Sequence, residues 1–440
     1  MSRRSSRAAG AAQPAASAPR PHWLQRWPWT PTLLSLAIIV AGLVAVPPIR
    51  QPLTYGIPVN AELVRPSAYL VFAPFSALLD TLTLLTIPQH VAIVVTLLLA
   101  LVGRHAWRHR MKGERSTLGR ELAFPGGAFL VLALVYAAAA LLPRPMARLE
   151  VSSAASADLM VLDFHLHTSK SHDGRPGFTP ERARAWARDA GFDAAYITDH
   201  RTFEGAEQAS ANNPALAGQG TVLLPGIEVV WNGEHVNILG AGRTYRGLTT
   251  ESLRDVDPKA LTLTSMIRGK EPVLLHTFPG RIGGVPAANG TGTAGVRAIE
   301  AVDGSPRGLA QGRAETKAIA VAAARMNLAT VTGTDNHGWG YAPAGWTLLV
   351  VPGWRAMTPD SLDNAIQSMI RENGHLAALP VARVVAGASS AWRVALAAPL
   401  VAWRMLTTLS PDERAAWLIW TWLPWAVLFL LRRRDARRAA

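Results

Sequence analysis

Leu159-Met160-Val161-Leu162-Asp163-Phe164-His165-Leu166-His167-Thr168 is the stretch on which the reading of this 440-residue chain turns. Four apolar residues run into Asp163, so Leu159–Asp163 reads as a buried strand. His165 and His167 are one residue apart and project to the same face of a regular strand. Two imidazoles on one face at the end of a strand are half of a metal site. Near residue 335 the spacing returns with a carboxylate, in Gly333-Thr334-Asp335-Asn336-His337. The chain has no cysteine, which excludes both a disulfide framework and a Cys-ligated zinc site. Imidazole with carboxylate, and no thiolate, suits zinc, manganese or iron.

Working outward, residues 155–385 alternate short apolar runs with helical patterns, the texture of an α/β domain. After the strand at Leu159, Thr179 and Pro180 open a helix that Gly191 closes. Further strands are expected at Ala194–Thr198, Val222–Leu224, His235–Leu239, Val273–His276, Ala298–Val302 and Ala329–Thr332. A long helix is expected at about Leu309–Met326, and the glycine-rich Pro279–Gly295 reads as a loop.

Seven of the twelve histidines lie between 165 and 337, and six of these fall at the end or edge of an expected strand. The motifs between the two ends of the series are Ser171-His172-Asp173-Gly174, Thr198-Asp199-His200, Pro225-Gly226-Ile227-Glu228, Gly233-Glu234-His235-Val236-Asn237 and Leu275-His276. His172 is read as a solvated neighbour of Asp173 without a ligand role. His22, His90, His105, His109 and His375 carry no such signal.

In this order the motifs resemble the PHP family, the polymerase and histidinol phosphatase metal-dependent phosphoesterases, over roughly residues 160–340. The resemblance implies a distorted seven-stranded β/α barrel with up to three metals at the strand C-termini, the face on which barrel enzymes place their chemistry. Carried over motif by motif, His165, His167, Glu228 and Asp335 would hold one ion. Glu228 would bridge to a second, completed by His235 and His276. Asp173, His200 and His337 would hold a third. The form around His235 and Asn237 is similar to a branch that includes carbamate and carboxyl-ester hydrolases. The chain departs from the family where Thr277 follows His276 and where Arg201 follows His200.

The expected cofactors are two or three divalent ions (Zn, Mn or Fe). The expected chemistry is hydrolysis of a phosphate ester by a metal-bridging hydroxide held near Glu228. Arg201, Lys170 and Arg281 adjoin the ligand segments and are candidate substrate contacts. The competing readings are a carboxyl-ester, carbamate or amide metallohydrolase and a non-catalytic metal-binding membrane sensor.

The net charge of +14 sits outside this domain. Residues 1–30 carry five Arg and no acid, 104–121 six Lys/Arg against two Glu, and 432–438 five Arg against one Asp. From Asp158 to Arg383 there are 21 basic and 22 acidic residues. A nucleic-acid binder would carry its basic excess on the folded domain, so no nucleic-acid partner is expected. The excess flanks apolar runs instead.

Four spans are expected, each needing about 20 apolar residues: Pro31–Ile49, Val91–Val102 extended by Tyr69–Ile87, Leu122–Leu142 and Ala415–Leu431. Tyr69–Ile87 is read as re-entrant or as a tilted part of the second span, a reading that leaves Asp80 unexplained. Ala391–Leu409 is read as an interfacial helix. Basic loops stay cytoplasmic, which puts all three basic segments inside and the metal domain outside. The expected organisation is a disordered basic tail (1–30), a three-span region (31–145), the metal domain (155–385), an interfacial helix plus a last span (388–431) and a basic tail (432–440). The expected location is the bacterial cytoplasmic membrane. The expected partner is a phosphorylated small molecule or a lipid or envelope substrate.

Overall fold

A computed structural model describes residues 28–112, 118–152, 157–231, 233–240, 272–277, 282, 287 and 295–439. The chain begins with helix α1 (Trp29–Leu43), strands β1 (Ile49–Arg50) and β2 (Ala61–Val64), and helices α2 (Ser67–Val71), α3 (Ala73–Thr83), α4 (Ile87–Lys112) and α5 (Leu118–Leu141). The α/β part follows with β3 (Arg148–Val151), β4 (Leu159–Leu166), α6 (Pro180–Ala190), β5 (Ala194–Ile197), α7 (Glu204–Ala211), β6 (Val222–Trp231), β7 (Glu234–Leu239), β8 (Leu274–His276) and β9 (Ala298–Asp303). It continues through α8 (Arg313–Met326), β10 (Ala329–Gly333), β11 (Gly345–Val350), α9 (Pro359–Asn373) and β12 (Ala378–Arg383). Helices α10 (Ala391–Ala395), α11 (Ala397–Thr408) and α12 (Pro411–Ala439) close it.

The local signals act as expected at α6. The Thr179 hydroxyl accepts from Arg182 N at 3.4 Å, Pro180 occupies the first turn, and Gly191 ends the helix at φ +89°. Position 191 needs glycine because a Cβ there would meet Leu149 O at 2.3 Å.

The described strands form one ten-stranded sheet in the order β1-β12-β11-β4-β5-β6-β7-β8-β9-β10, with β2 and β3 as a separate pair. The seven-stranded expectation is therefore corrected to ten. The additional strands β11 and β12 pair antiparallel beside β4, and β1 adds to β12. The sheet curls until the segment after β10 meets β4. There His167 N donates to Asn336 O at 3.2 Å and Asp335 N to His165 O at 2.8 Å. Alternation over Met160–Phe164, followed by a register shift between Asp163 and Leu166, divides the core. Met160, Leu162 and Phe164 pack with Ile366 and Ile370 of α9, and Val161 and Leu166 belong with Trp186 of α6 and Ile319 of α8.

Among the described residues, two helical stretches are long and apolar enough to cross a membrane by length and composition, Ile87–Trp107 and Pro411–Leu431, while Trp29–Leu43 and Gly126–Leu141 are shorter apolar helices. The first expected span thus shrinks to 15 residues, about 22 Å at the helical rise against a hydrocarbon core of about 30 Å. Pro47 and Pro48 bar its continuation.

Tyr69–Ile87 does not lengthen the second span. It forms two separate helices, α2 and α3, and α4 starts afresh at Ile87. Asp80 lies buried at the junction with the α/β part, 3.1 Å from Arg144 and 3.7 Å from Arg383, with Tyr69 OH donating to it at 3.3 Å. The Ala391–Leu409 segment is likewise two helices, packed through Ala397 and Val401 on Leu82, Leu85, Ile93 and Ala139.

Candidate metal centre

The curl of the sheet gathers the histidine motifs. His165 Nε2 stands 3.0 Å from His167 Nε2, 3.0 Å from Glu228 Oε2 and 3.3 Å from Asp335 Oδ1. His167 Nε2 lies 3.3 Å from Glu228 Oε2 and 3.1 Å from Asp335 Oδ1. A tetrahedron with zinc–nitrogen or zinc–oxygen bonds of about 2.0–2.1 Å has edges of about 3.3 Å. Five separations of 3.0–3.3 Å among the four donor atoms, all of which lie within 4.8 Å of one another, therefore suit one ion between them.

Glu228 faces two ways. Oε2 is directed at His165, His167 and, at 3.3 Å, His200 Nδ1, while Oε1 pairs with His235 Nδ1. His200, Glu228 and His235 make a second group of ligand atoms. Beyond it, Asp173 lies 3.5 Å from His200 Nε2 and 3.2 Å from His337 Nε2. The ring of His337 stacks on His167 at 3.9 Å.

The structure does not bring His276 to this cluster. The register Val236↔His276 puts it on the opposite face of the β7–β8 pair from His235, and its Nε2 lies 3.7 Å from Glu234 Oε2. Burial lowers its proton affinity. The expected His235–His276 pair is thus replaced by His235 with His200. His172 is largely exposed, with Nδ1 3.8 Å from Asp173. Among the three cationic candidates, Lys170 pairs with Glu204 at the surface, a contact that competes with a substrate role. Arg201 adopts φ +56°, a strained backbone for a non-glycine residue, while its N–H donates to Glu228 O at 3.0 Å. Arg281 lies outside the described residues.

Two buried carboxylates escape the sequence reading. Glu300 Oε1 lies 2.8 Å from His165 Nδ1, and Asp303 joins His165 and Glu300 in a further group of ligand atoms. If Nδ1–H donates to Glu300, the lone pair of His165 Nε2 is turned toward the cluster, the arrangement that usually supports a metal-ligating histidine. Gly333 lets these two approach, since a Cβ there would meet Glu300 Oε1 at 2.1 Å and His165 Cβ at 2.7 Å. The signal that marks Glu300 is a single carboxylate inside the apolar strand Ala298–Asp303.

The electrostatics match a site built for cations. Burial opposes the charge on Glu228, but His165 and His200 outweigh it and hold the carboxyl well below its usual range. Burial likewise opposes charge on His165, yet Glu228, Glu300 and Asp335 raise its proton affinity well above normal. His337 is pulled down by burial and raised further by Asp173 and Asp335, to about 9. Asp303, by contrast, is driven well up by burial and then by Asp335 and Glu300. The carboxylates favour positive charge at His165 and His337, and divalent ions would supply positive charge in the same place.

None of the family models and none of the curated proteins matches this chain. Among solved structures it is similar to PsfC from Pseudomonas syringae, at 17% identity over 56% of this chain and 98% of that one, with a TM-score of 0.30. A two-domain protein from Bacteroides vulgatus containing a predicted PHP-like metal-dependent phosphoesterase matches at 17% identity over 47% of this chain and 63% of that one, TM-score 0.30. An amidohydrolase from Chromobacterium violaceum matches at 18% identity over 40% and 87%, TM-score 0.26. Likeness at this level carries no argument about chemistry, which rests on the ligand atoms themselves.

Proposed function

We propose that the protein is a membrane-anchored, metal-dependent phosphoesterase of the PHP type. The observation that carries this is the convergence of His165, His167, Glu228 and Asp335, in which each imidazole Nε2 lies 3.0–3.3 Å from the other and from both carboxylates. His165, His167, Glu228 and Asp335 would hold one ion. Glu228 would share a second with His200 and His235, and Asp173, His200 and His337 surround a third position. Bound ions would supply a nucleophile at neutral pH and Lewis acidity toward a phosphoryl oxygen. Glu228 is suited to bridging, because its two oxygens already face different imidazoles. Glu300 orients His165, and Arg201 stands beside His200 as the candidate contact for a substrate oxygen.

Anchoring in a membrane is supported by the outer faces of the helices. Leu99 on α4, Leu134 on α5 and Leu430 on α12 are all more than half exposed, and apolar exposure on this scale marks a surface meant for lipid or protein. The positions of the basic segments favour a reading with the α/β domain on the extracytoplasmic side of a bacterial cytoplasmic membrane.

The test is turnover by the full chain, loaded with Mn or Zn, of aryl phosphates, phosphodiesters and aryl acetates. Phosphate esters are expected to be cleaved and a chelator to abolish cleavage. Preference for acetates would move the assignment to carboxyl esters. No turnover at verified metal content would remove the hydrolase reading.

A further inference from the structure

The cavity that reaches the ligand cluster does not end at it. It has a volume of about 490 Å³, and Asp173, Asp335 and His337 line one part of its wall. That is the size of a small-molecule site. Another part of the same wall is apolar and comes from the helical layer: Leu82 and Leu85 before α4, and Ala139 and Ala140 at the end of α5. His90 and Tyr136, hydrogen-bonded to each other at 3.1 Å, also line it. Helix α4 is one of the two stretches long enough to cross a bilayer. On its outer side Val91, Val95 and Leu99 are exposed.

A small polar ester would leave the apolar part of this cavity unfilled. A molecule with a phosphate at one end and a hydrocarbon chain at the other matches both parts. We infer that the substrate is a membrane-resident amphiphile, a phosphate ester whose head group lies at Asp173, Asp335 and His337 and whose chain runs over Leu82, Leu85, Ala139 and Ala140. The alanines leave room for the chain, and α4 and α5 lead from the bilayer to the cluster. This inference rests on the phosphoesterase reading and names its substrate class.

The test uses water-soluble monoalkyl phosphates of two to six carbons with the full chain in nanodiscs, so that partition into lipid does not set the trend. Each fully buried methylene is worth a factor of about four, and kcat/KM is expected to rise at least about tenfold from ethyl to hexyl. Binding of ethyl and hexyl phosphonate to the metal-loaded chain, measured by calorimetry, should follow the same order. Ala140→Trp should bring the hexyl-to-ethyl ratio of kcat/KM toward one, and Ala139→Leu should lower it less. A flat chain-length profile, with phosphate esters turned over, would overturn the amphiphile and leave the phosphoesterase standing. An unchanged ratio in both variants would overturn the placement of the chain. Absence of turnover for every phosphate ester, at verified metal content, would overturn the underlying reading and this inference with it.

Discussion

The Nδ1 of His165 and the Oε1 of Glu300 meet at 2.8 Å with both side chains buried, so the ring of the central histidine is held from behind by a carboxylate on β9. Outer partners of this kind typically change metal affinity or activity by about 10–100-fold when removed. Glu300→Ala is expected to lower metal affinity by about that factor. Glu300→Gln, which keeps an oxygen acceptor, should restore part of it. Metal titration of the purified chain checks both, and equal loss in the two variants would assign Glu300 a purely electrostatic role.

Glu228 has one oxygen toward His165 and one toward His235. Glu228→Gln should therefore lower the number of bound ions at two positions together and reduce turnover by more than about 100-fold. Asp173→Ala should mainly empty the position next to His200 and His337. His172→Ala should be nearly silent, because its ring is mostly in solvent. Elemental analysis beside kinetics distinguishes the three, and an essential His172 with a dispensable Glu228 would invert the ligand assignment.

Asp80 ties the helical layer to the α/β part through Arg144 and Arg383. Removing one member of a buried ion pair leaves its partners uncompensated, at about 3–5 kcal/mol. Asp80→Ala is expected to lower the thermal midpoint of the full chain clearly more than Glu150→Ala, whose exposed pair with Arg148 is worth about 1 kcal/mol or less. Similar melting of the two variants would deny the junction its structural role.

Asp363 is fully buried, accepts from Tyr196 OH at 2.6 Å, and is raised by burial from 3.8 to about 6. The folded chain holds this proton more tightly than the unfolded one. The resulting stabilisation is present below about pH 4 and is lost as pH rises through about 6, in the sense that linkage requires. Asp363→Asn should flatten that part of the stability profile, measured as the difference between variant and parent midpoints from pH 4 to 7. A slope that persists unchanged would mean that Asp363 does not titrate in this range.

The proposed orientation, read from the charge distribution, predicts the outcome of reporter fusions. Reporter fusions after residue 112 and at the C-terminus should signal cytoplasm, and one after residue 150 the other side of the membrane. A cytoplasmic signal from the fusion at 150 would reverse the topology.

The strands that carry chemistry were legible because an apolar run and a polar motif adjoin at each, as in Leu159–Thr168. Strand β12 was not, since Pro380 interrupts its pattern; β11 lacks any motif beside it, and β1 is a two-residue strand far upstream. Without these three the sheet reads as seven strands. The position of His276 was lost for a different reason. Spacing along one strand says which residues share a face, but only the register with β7 says which face that is. Asp80 could not be understood from its neighbours in sequence, because Arg144 and Arg383 reach it only through the tertiary fold. Glu300 stands in a mostly apolar strand with only Asp303 at its end for company and no histidine motif to flag it, and the close approach allowed by Gly333 brings it to His165.

Strand β1, at Ile49 and Arg50, pairs with β12 at Arg383 and Ala382, and α1 packs through Ile38 and Ala41 on Leu406 and Leu409. Both partners of these contacts lie at opposite ends of the polypeptide. At a synthesis rate of about 5–20 residues per second, roughly 17–74 s separate the emergence of the first partner from that of the second. During that interval the early helices have neither their late neighbours nor the Arg383 that meets Asp80. A chain cut short within the metal domain therefore leaves Ile38 and Ala41 without Leu406 and Leu409, so the helical layer can close only when synthesis is nearly complete.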